Sequence, residues 1–122
     1  MTVRRKERAE KWGRAGERRA ALFLRLKGYT ILAHRLRTPV GEIDLVARRG
    51  STLAIVEVKA RADLDQAREA LSSRQRHRLA RAAAWLTASR PDFSTMAVRF
   101  DLILISPWKW PRHLTDAWQS DN

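Results

Sequence analysis

Residues 41–61 read GEIDLVARRGSTLAIVEVKAR, and this stretch decides the fold prediction. Its two halves are rich in β-branched residues, as strands are. The Arg-Gly dipeptide at positions 49–50 favours a tight connection between them. The segment therefore predicts an antiparallel strand pair, with residues 42–48 on one strand and residues 52–61 on the other.

The carboxylates of this segment fall into one pattern. A two- or four-residue loop centred on positions 49–50 pairs Asp44 with Ile55 and Glu42 with Glu57. Since alternate residues of a strand share a face, Glu42, Asp44 and Glu57 then lie together, with Lys59 beside them. A slip of one residue would scatter them to opposite faces.

Acidic side chains placed opposite each other across two strands repel, and more strongly if the face is covered. Apolar neighbours such as Val46 and Ile55 favour a covered face. A divalent cation would relieve the repulsion, and Mg²⁺ or Mn²⁺ suits oxygen ligands. Two alternatives remain open: Glu57 and Lys59 form an ion pair on an exposed strand, or Asp44 bonds a turn.

A fourth carboxylate, Glu17, belongs to the predicted first helix at residues 1–27. Helical spacing puts it almost in line with Leu24, on a face of small and apolar residues suited to packing on a sheet. If that face meets the strand acids, all four converge. Alternatively, Arg14, Arg18 or another cation pairs with Glu17.

The remaining sequence completes an α/β (α+β) fold. Gly28 marks the end of the first helix, residues 29–36 form a strand, and Ser72 or Ser73 caps a second helix that Pro91 ends after residue 89. Residues 62–71 are expected to be irregular. Residues 98–105 are a strong strand, and a last short strand is expected around residues 114–118. The order α-β-β-β-α-β-β predicts a mixed central sheet of four to five strands flanked by helices.

Length, charge and composition narrow the classes of function. The 122 residues suit one domain, with residues 1–12 and 119–122 expected to be flexible ends. The formal charge of +12 attracts polyanions, of which nucleic acid is the most abundant. The absence of cysteine fits a cytoplasmic protein, and no apolar stretch suggests a membrane span.

The motifs resemble those of a known family. Asp44, followed after a hairpin by Glu57-Val58-Lys59, has the D…ExK form of the PD-(D/E)XK nuclease superfamily. More narrowly, GEIDLVA and VEVKAR resemble the YraN-like uncharacterised family, whose fold is similar to that of archaeal Holliday junction resolvases. Three further segments of the chain resemble the same family: GERRAALFL around Glu17, RFD at 99–101 and HLTDAW at 113–118.

This resemblance implies a restriction-endonuclease-like core and a set of roles. Asp44, Glu57 and the Val58 carbonyl would hold Mg²⁺ or Mn²⁺, Lys59 would position water or stabilise charge, and Glu17 would hold a metal-bound water or a second ion. Glu42 is expected to orient a ligand. Where the family commonly has lysine, this chain has Gln75, on the inward stripe of the second helix.

The expected function is metal-dependent hydrolysis of nucleic-acid phosphodiester bonds, with structure-selective or non-specific cleavage of DNA favoured over sequence reading. Basic residues of both helices would grip phosphates without reading bases: Arg14, Arg18, Arg74, Arg76, Arg78 and Arg81.

Two alternatives to this function stay open. One is a non-catalytic nucleic-acid-binding protein that retains the fold, and the other is a structural protein docking through its basic surface. RNA as substrate and a homodimer also remain open. Trp108 and Trp110 could stack on exposed bases, although tryptophans in a Pro-rich loop more often pack.

Overall fold

The computed structural model describes residues 3–60 and 71–118, with side chains described from residue 13 onward. Residues 1–2 and 119–122 of the expected flexible ends lie outside these ranges, as do residues 62–70 of the expected irregular stretch. No helix in the described part combines the length and the apolar character that a membrane crossing requires.

The described elements follow the predicted order α-β-β-β-α-β-β, and the α+β class is confirmed. A 3-10 turn at Pro91–Phe93 follows the second helix. The helices and strands are α1 (Val3–Leu26), β1 (Thr30–Thr38), β2 (Gly41–Arg49), β3 (Thr52–Lys59), α2 (Ser73–Ser89), β4 (Ala97–Leu104) and β5 (Arg112–Leu114).

The helix ends lie close to where the sequence puts them. Gly28 has a φ of +91°, which glycine adopts without steric cost. The Tyr29 amide donates to the Leu24 carbonyl and the Gly28 amide to the Arg25 carbonyl, so α1 ends in a Schellman motif. At the start of α2, Ser72 and Gln75 form a reciprocal capping box.

One mixed sheet, in the order β1-β2-β3-β4-β5, forms the centre of the protein. Strands β3 and β4 run parallel, and the other neighbours are antiparallel. The closing strand was predicted too late in the chain, around residues 114–118. It is β5, which pairs Leu114 with Leu102 and ends there because Asp116 turns the backbone with a φ of +54°.

The two helices cover opposite faces of the sheet. Ala20 and Leu24 of α1 pack in one apolar cluster with Leu45 and Val56 of the strands. The larger cluster, on the other face, includes Leu79, Ala82 and Leu86 of α2 with Leu53 and Ile55 of β3 and Phe100 of β4. Both faces are therefore buried, and a polar side chain on either face requires a partner.

The predicted register of β2 and β3 is wrong by two residues. Leu45 pairs with Val56 and Arg49 with Thr52, so the turn is centred on residues 50–51 rather than 49–50. Glycine at position 50, with a φ of +60°, makes this tighter turn possible. A shift of two residues preserves the face on which each side chain lies. Asp44 therefore stays on the same face as Glu57, and the observed register places the two directly opposite each other.

A buried ion network under α1 anchors β4 to β5. Asp101 is fully buried and accepts two hydrogen bonds from Arg99, at 2.8 and 2.7 Å, and one from His113 Nε2, at 2.8 Å. The Asp116 amide donates to it at 3.0 Å. Burial alone would raise the pKa of Asp101, but the hydrogen bonds from His113 and Arg99 lower it to about 2. This carboxylate is therefore fully partnered.

We expect Asp101→Asn to lower the free energy of unfolding by about 3 kcal/mol at neutral pH, because Arg99 loses its buried counter-ion. A lowered pKa means that the carboxylate stabilises the fold above about pH 4 and loses this effect as pH falls towards 2. The gap between wild type and variant should therefore shrink in acid. Urea unfolding between pH 2 and 7 measures it, with exposed Asp92→Asn as control. A gap that does not change with pH would contradict this account.

Candidate functional site

The ladder between β2 and β3 extends from the turn as far as Leu45 and does not reach Asp44. Their ladder ends at Leu45 and Val56, whereas β2 continues to pair with β1 as far as Gly41. The Val58 amide donates to Asp44 Oδ2 at 2.9 Å. A side-chain carboxylate thus takes the place that a backbone carbonyl would hold in a continued ladder.

The strand alternation is also interrupted at this point. Ile43 and Val46, separated by an odd number of positions, pack in the same apolar cluster under α2. On the neighbouring strand, Arg35 has a φ of +46°, in the left-handed region that bulky residues rarely adopt. Asp44 lies at this interruption of the strand pattern, where its carboxylate bonds the Val58 amide of the neighbouring strand.

The carboxyl groups of Asp44 and Glu57 lie on neighbouring strands and line the same cavity, where they interact electrostatically, and each carries a raised pKa. For Glu57 the largest cause is burial, followed by the negative charge of Asp44. For Asp44 the largest cause is again burial, which outweighs the opposing hydrogen bond from the Val58 amide. The site therefore favours a proton or another cation between the two acids.

Lys59 supplies one positive charge to this pair. Its Nζ lies 3.5 Å from Glu57 Oε1, and the two side chains are only 18% and 14% exposed. The ammonium opposes the rise in the pKa of both acids but does not reverse it. Within the described residues, Lys59 is the cation that forms an ion pair at these half-buried carboxylates, and both pKa values stay raised, so the ionised pair is not fully neutralised.

A cavity of about 120 Å³ opens onto the two acids. It has room for several water molecules, which occupy about 30 Å³ each in the liquid. The cavity is lined by Glu42, Asp44, Glu57, Gln75, Arg78 and Leu79. Strand acids and helix α2 therefore share one small polar chamber, which includes the predicted positions Glu42 and Gln75.

Two of the cavity residues have a further structural task. The Gln75 side chain accepts a hydrogen bond from the Ser72 amide at 3.3 Å, so it caps α2 as well as lining the chamber. The Arg78 stem crosses Gly41 so closely that a Cβ at that position would lie 2.7 Å from it. Glycine at 41, with a φ of +151°, thus lets Arg78 reach the chamber.

Glu17 approaches from α1 but lies outside the acid pair. It is buried and accepts a hydrogen bond from Arg35 Nε at 2.8 Å. Burial raises the pKa of Glu17, the Arg35 hydrogen bond opposes this, and the negative charge of Asp44 adds to it. Within the described residues, no three Asp, Glu, His or Cys side chains come together as one ion-binding group.

Arg35 is the residue that the sequence analysis missed. Its guanidinium lies over Gly13, where an added Cβ would be 3.3 Å from Nη2. Besides bonding Glu17, it feels the negative charge of Glu42 and Asp44. No local pattern marks it, since it is one of two arginines in a strand that mixes polar and apolar residues, and its position depends on its unusual backbone conformation. The partner of Glu17 is thus neither of the two named arginines.

Arg78 lines the chamber, whereas the other predicted phosphate-binding residues are not among its lining residues. All of them except Arg76, which is half-buried, are exposed on the two helices: Arg14, Arg18, Arg74 and Arg81. Because α1 and α2 cover opposite faces, these arginines form two basic surfaces rather than one.

We expect the free energy of unfolding of the metal-free protein to fall as the pH rises through the pKa of Glu57. A raised pKa means that the folded state binds the proton more tightly, so its stabilisation is complete at low pH and is lost as Glu57 ionises. Glu57→Gln should remove this slope and be more stable than wild type at pH 9, by about 1–3 kcal/mol. Urea unfolding with a chelator at pH 5 and 9 measures it. If the free energy of unfolding of Glu57→Gln depends on pH as steeply as that of wild type, ionisation of Glu57 does not cause the loss of stability.

Comparison with known proteins places the chain in a family. Residues 16–105 match the model of the uncharacterised protein family UPF0102. A UPF0102 protein of Parvibaculum lavamentivorans is 57% identical, over 91% of this chain and 84% of its own length. Others, from Paramagnetospirillum magneticum and Caulobacter vibrioides, are each 53% identical, over 93% and 90% of this chain and 91% and 88% of their own lengths. The protein belongs to the UPF0102 family.

Proposed function

We propose that this protein is a nuclease that uses a divalent metal ion to hydrolyse phosphodiester bonds of nucleic acid. The observation that carries the proposal is the pair of half-buried carboxyl groups of Asp44 and Glu57, which line one cavity and both keep a raised pKa although Lys59 lies beside Glu57. A fold gains nothing from burying two acids against each other, because replacing one of them would relieve the repulsion. Such a pair is explained if a cation belongs there.

The donor groups fit a hard cation. Carboxylate oxygens are preferred ligands of Mg²⁺ and Mn²⁺, and Mg²⁺ usually keeps several waters while only one or two carboxylates bind it. Two acids and a water-sized chamber therefore suffice, and a third carboxylate is not required. The superfamily pattern adds the Val58 carbonyl as a further ligand. Glu17, within the electrostatic reach of Asp44, would hold a metal-bound water or a second ion.

The chemistry divides between the metal and the chain. When bound, Mg²⁺ or Mn²⁺ supplies a Lewis acid and lowers the pKa of a coordinated water. Lys59, whose ammonium lies 3.5 Å from Glu57 Oε1, would stabilise the negative charge that develops on the phosphate. Arg78 borders the same chamber and binds a non-bridging phosphate oxygen. Glu42 and the Gln75 amide orient water.

The sequence pattern supports the same assignment. Asp44, Glu57 and Lys59 occupy the three positions of the D…ExK pattern of PD-(D/E)XK nucleases, which this protein resembles. The UPF0102 family is itself uncharacterised, so its name brings no activity to the chain. The nuclease assignment depends on the acid pair, its lysine and this resemblance together.

The charge of the chain favours nucleic acid as the substrate. A formal charge of +12 and exposed arginines on both helices attract phosphates regardless of base sequence. DNA is the substrate we propose, cut in a structure-selective or non-specific manner. Action as a homodimer remains part of the proposal.

One observation favours a second function, nucleic-acid binding without cleavage. Glu17 is held by Arg35 rather than joined to the acid pair, and Gln75 stands where the YraN-like family commonly has lysine. A protein that retained the fold and lost catalysis would show both features. The two functions differ in whether any substrate is cut when metal is present.

We expect the protein to cut at least one of three DNA substrates, branched, single-stranded or duplex, when Mn²⁺ or Mg²⁺ is present. Asp44→Ala and Lys59→Ala should each lower the rate by a factor of about 100 or more, since they remove the metal ligand and the charge-stabilising ammonium. Asp92→Ala, an exposed acid, should cleave like wild type. Gel analysis of labelled substrates measures the rates.

Binding of the same substrates without any metal-dependent cut would favour the non-catalytic function. Cleavage that survives in Lys59→Ala and Asp44→Ala at the wild-type rate would point to a contaminating nuclease and contradict the assigned site. A parallel reaction with chelator for each substrate distinguishes metal-dependent cleavage from these two outcomes, binding without cleavage and cleavage by a contaminant.

A further inference from the structure

Two tryptophans project into solvent from the loop between β4 and β5. The side chain of Trp108 is fully exposed and that of Trp110 is 78% exposed. Trp108 has a φ of +66°, a left-handed conformation that is uncommon for a bulky residue. This local backbone holds the Trp108 indole away from the protein rather than packing it, contrary to the more frequent role of tryptophans in Pro-rich loops.

The loop and α1 together form an apolar groove of about 360 Å³. One wall is the outer face of α1 and the other is the loop, with apolar lining from Leu22, Phe23, Leu26, Trp108, Trp110 and Pro111. Arg19 ties the walls together, since its guanidinium donates to the carbonyls of Ser106 at 3.4 Å and Lys109 at 3.2 Å. The groove is therefore already formed without an occupant.

The groove and the candidate site lie near the same end of β3, the groove on the α1 face of the sheet and the acid cavity on the α2 face. The Ile105 amide, just before the loop, donates to the Lys59 carbonyl at 2.9 Å. On α1, Gly16 is packed against Ile105, and Glu17 and Arg19 follow it in the same helix. The tryptophan loop therefore starts at the end of β3 that carries Glu57 and Lys59, on the α1 side of the sheet.

The charges of the groove match a polyanion that also has flat apolar parts. Among the described residues, its charged lining consists of Arg19 and Lys109, with no acid. Nucleobases stack on exposed indoles whatever their sequence, while cations hold the connecting phosphates. Paired bases cannot present their faces in this way, because they are stacked inside the duplex.

We propose that this groove binds unpaired bases of the nucleic-acid strand whose phosphodiester bond lies at Asp44 and Glu57. The inference rests on the proposed function and adds a substrate class: strands with unpaired bases next to the cleaved bond, as in single-stranded or branched nucleic acid. The cationic lining of the groove and its position at the same end of β3 as the acid pair favour this occupant over a lipid surface or a second copy of the chain, which the apolar residues could also attract.

Binding to an abasic strand tests the proposal separately from cleavage. A labelled single-stranded oligonucleotide and an abasic strand of equal length carry the same phosphates, and fluorescence anisotropy with a chelator measures the affinity of each. The double variant Trp108→Ala/Trp110→Ala should lose about tenfold or more in affinity for the base-bearing strand. Its affinity for the abasic strand should stay unchanged. Trp85→Ala, on α2 at the opposite face, is the matched control.

Several results would overturn the proposal. Equal losses on both strands would mean that the loop contributes only to phosphate binding, and no loss would mean that the groove is not used. If the double variant instead lowers the sedimentation mass or abolishes binding to anionic vesicles while strand binding is kept, a second copy or a lipid surface is the occupant. Trp108→Phe/Trp110→Phe, which keeps stacking rings, should retain most of the affinity. Because no metal is present, failure of cleavage does not affect these outcomes.

Discussion

The hydrogen bond from the Val58 amide to Asp44 is the interaction on which the site depends. It satisfies a buried backbone donor at the point where β2 leaves β3, and a side chain rather than a strand provides the acceptor. The strands can therefore separate without leaving a polar group unpaired. The same bond fixes the Asp44 carboxylate against Glu57, so the opening in the sheet and the acid pair have one cause.

The fully buried Asp101 and the half-buried pair of Asp44 and Glu57 show opposite electrostatics. Asp101 has a bidentate arginine, a histidine and a backbone amide, and its pKa is lowered to about 2. Asp44 and Glu57 share one lysine, and burial raises the pKa of both. The first arrangement neutralises the carboxylate, as a structural role requires. The second is not fully neutralised by the groups around it and favours the binding of a cation from solution. Sequence alone does not separate the two, since each acid lies in a strand among apolar neighbours.

Much of the site could be predicted because it depends on local rules. Strand periodicity placed Asp44 and Glu57 on one face even with the register wrong by two residues, and the cap at Ser72 placed Gln75 at the start of α2. What was missed depends on contacts distant in sequence. The end of the β2–β3 ladder, the positive φ of Arg35 and its pairing with Glu17 follow from how α1, β1 and β2 meet. No window of neighbouring residues contains that information.

Calorimetric titration of chelator-treated protein with Mn²⁺ tests the central claim most directly, because it detects the ion without requiring a substrate. Wild type should bind Mn²⁺ at a site that is absent in Asp44→Asn and kept in Asp92→Asn, whose exposed acid contacts Arg90. Identical binding by wild type and Asp44→Asn, or no binding by wild type, would show that the buried acid pair is not a metal site.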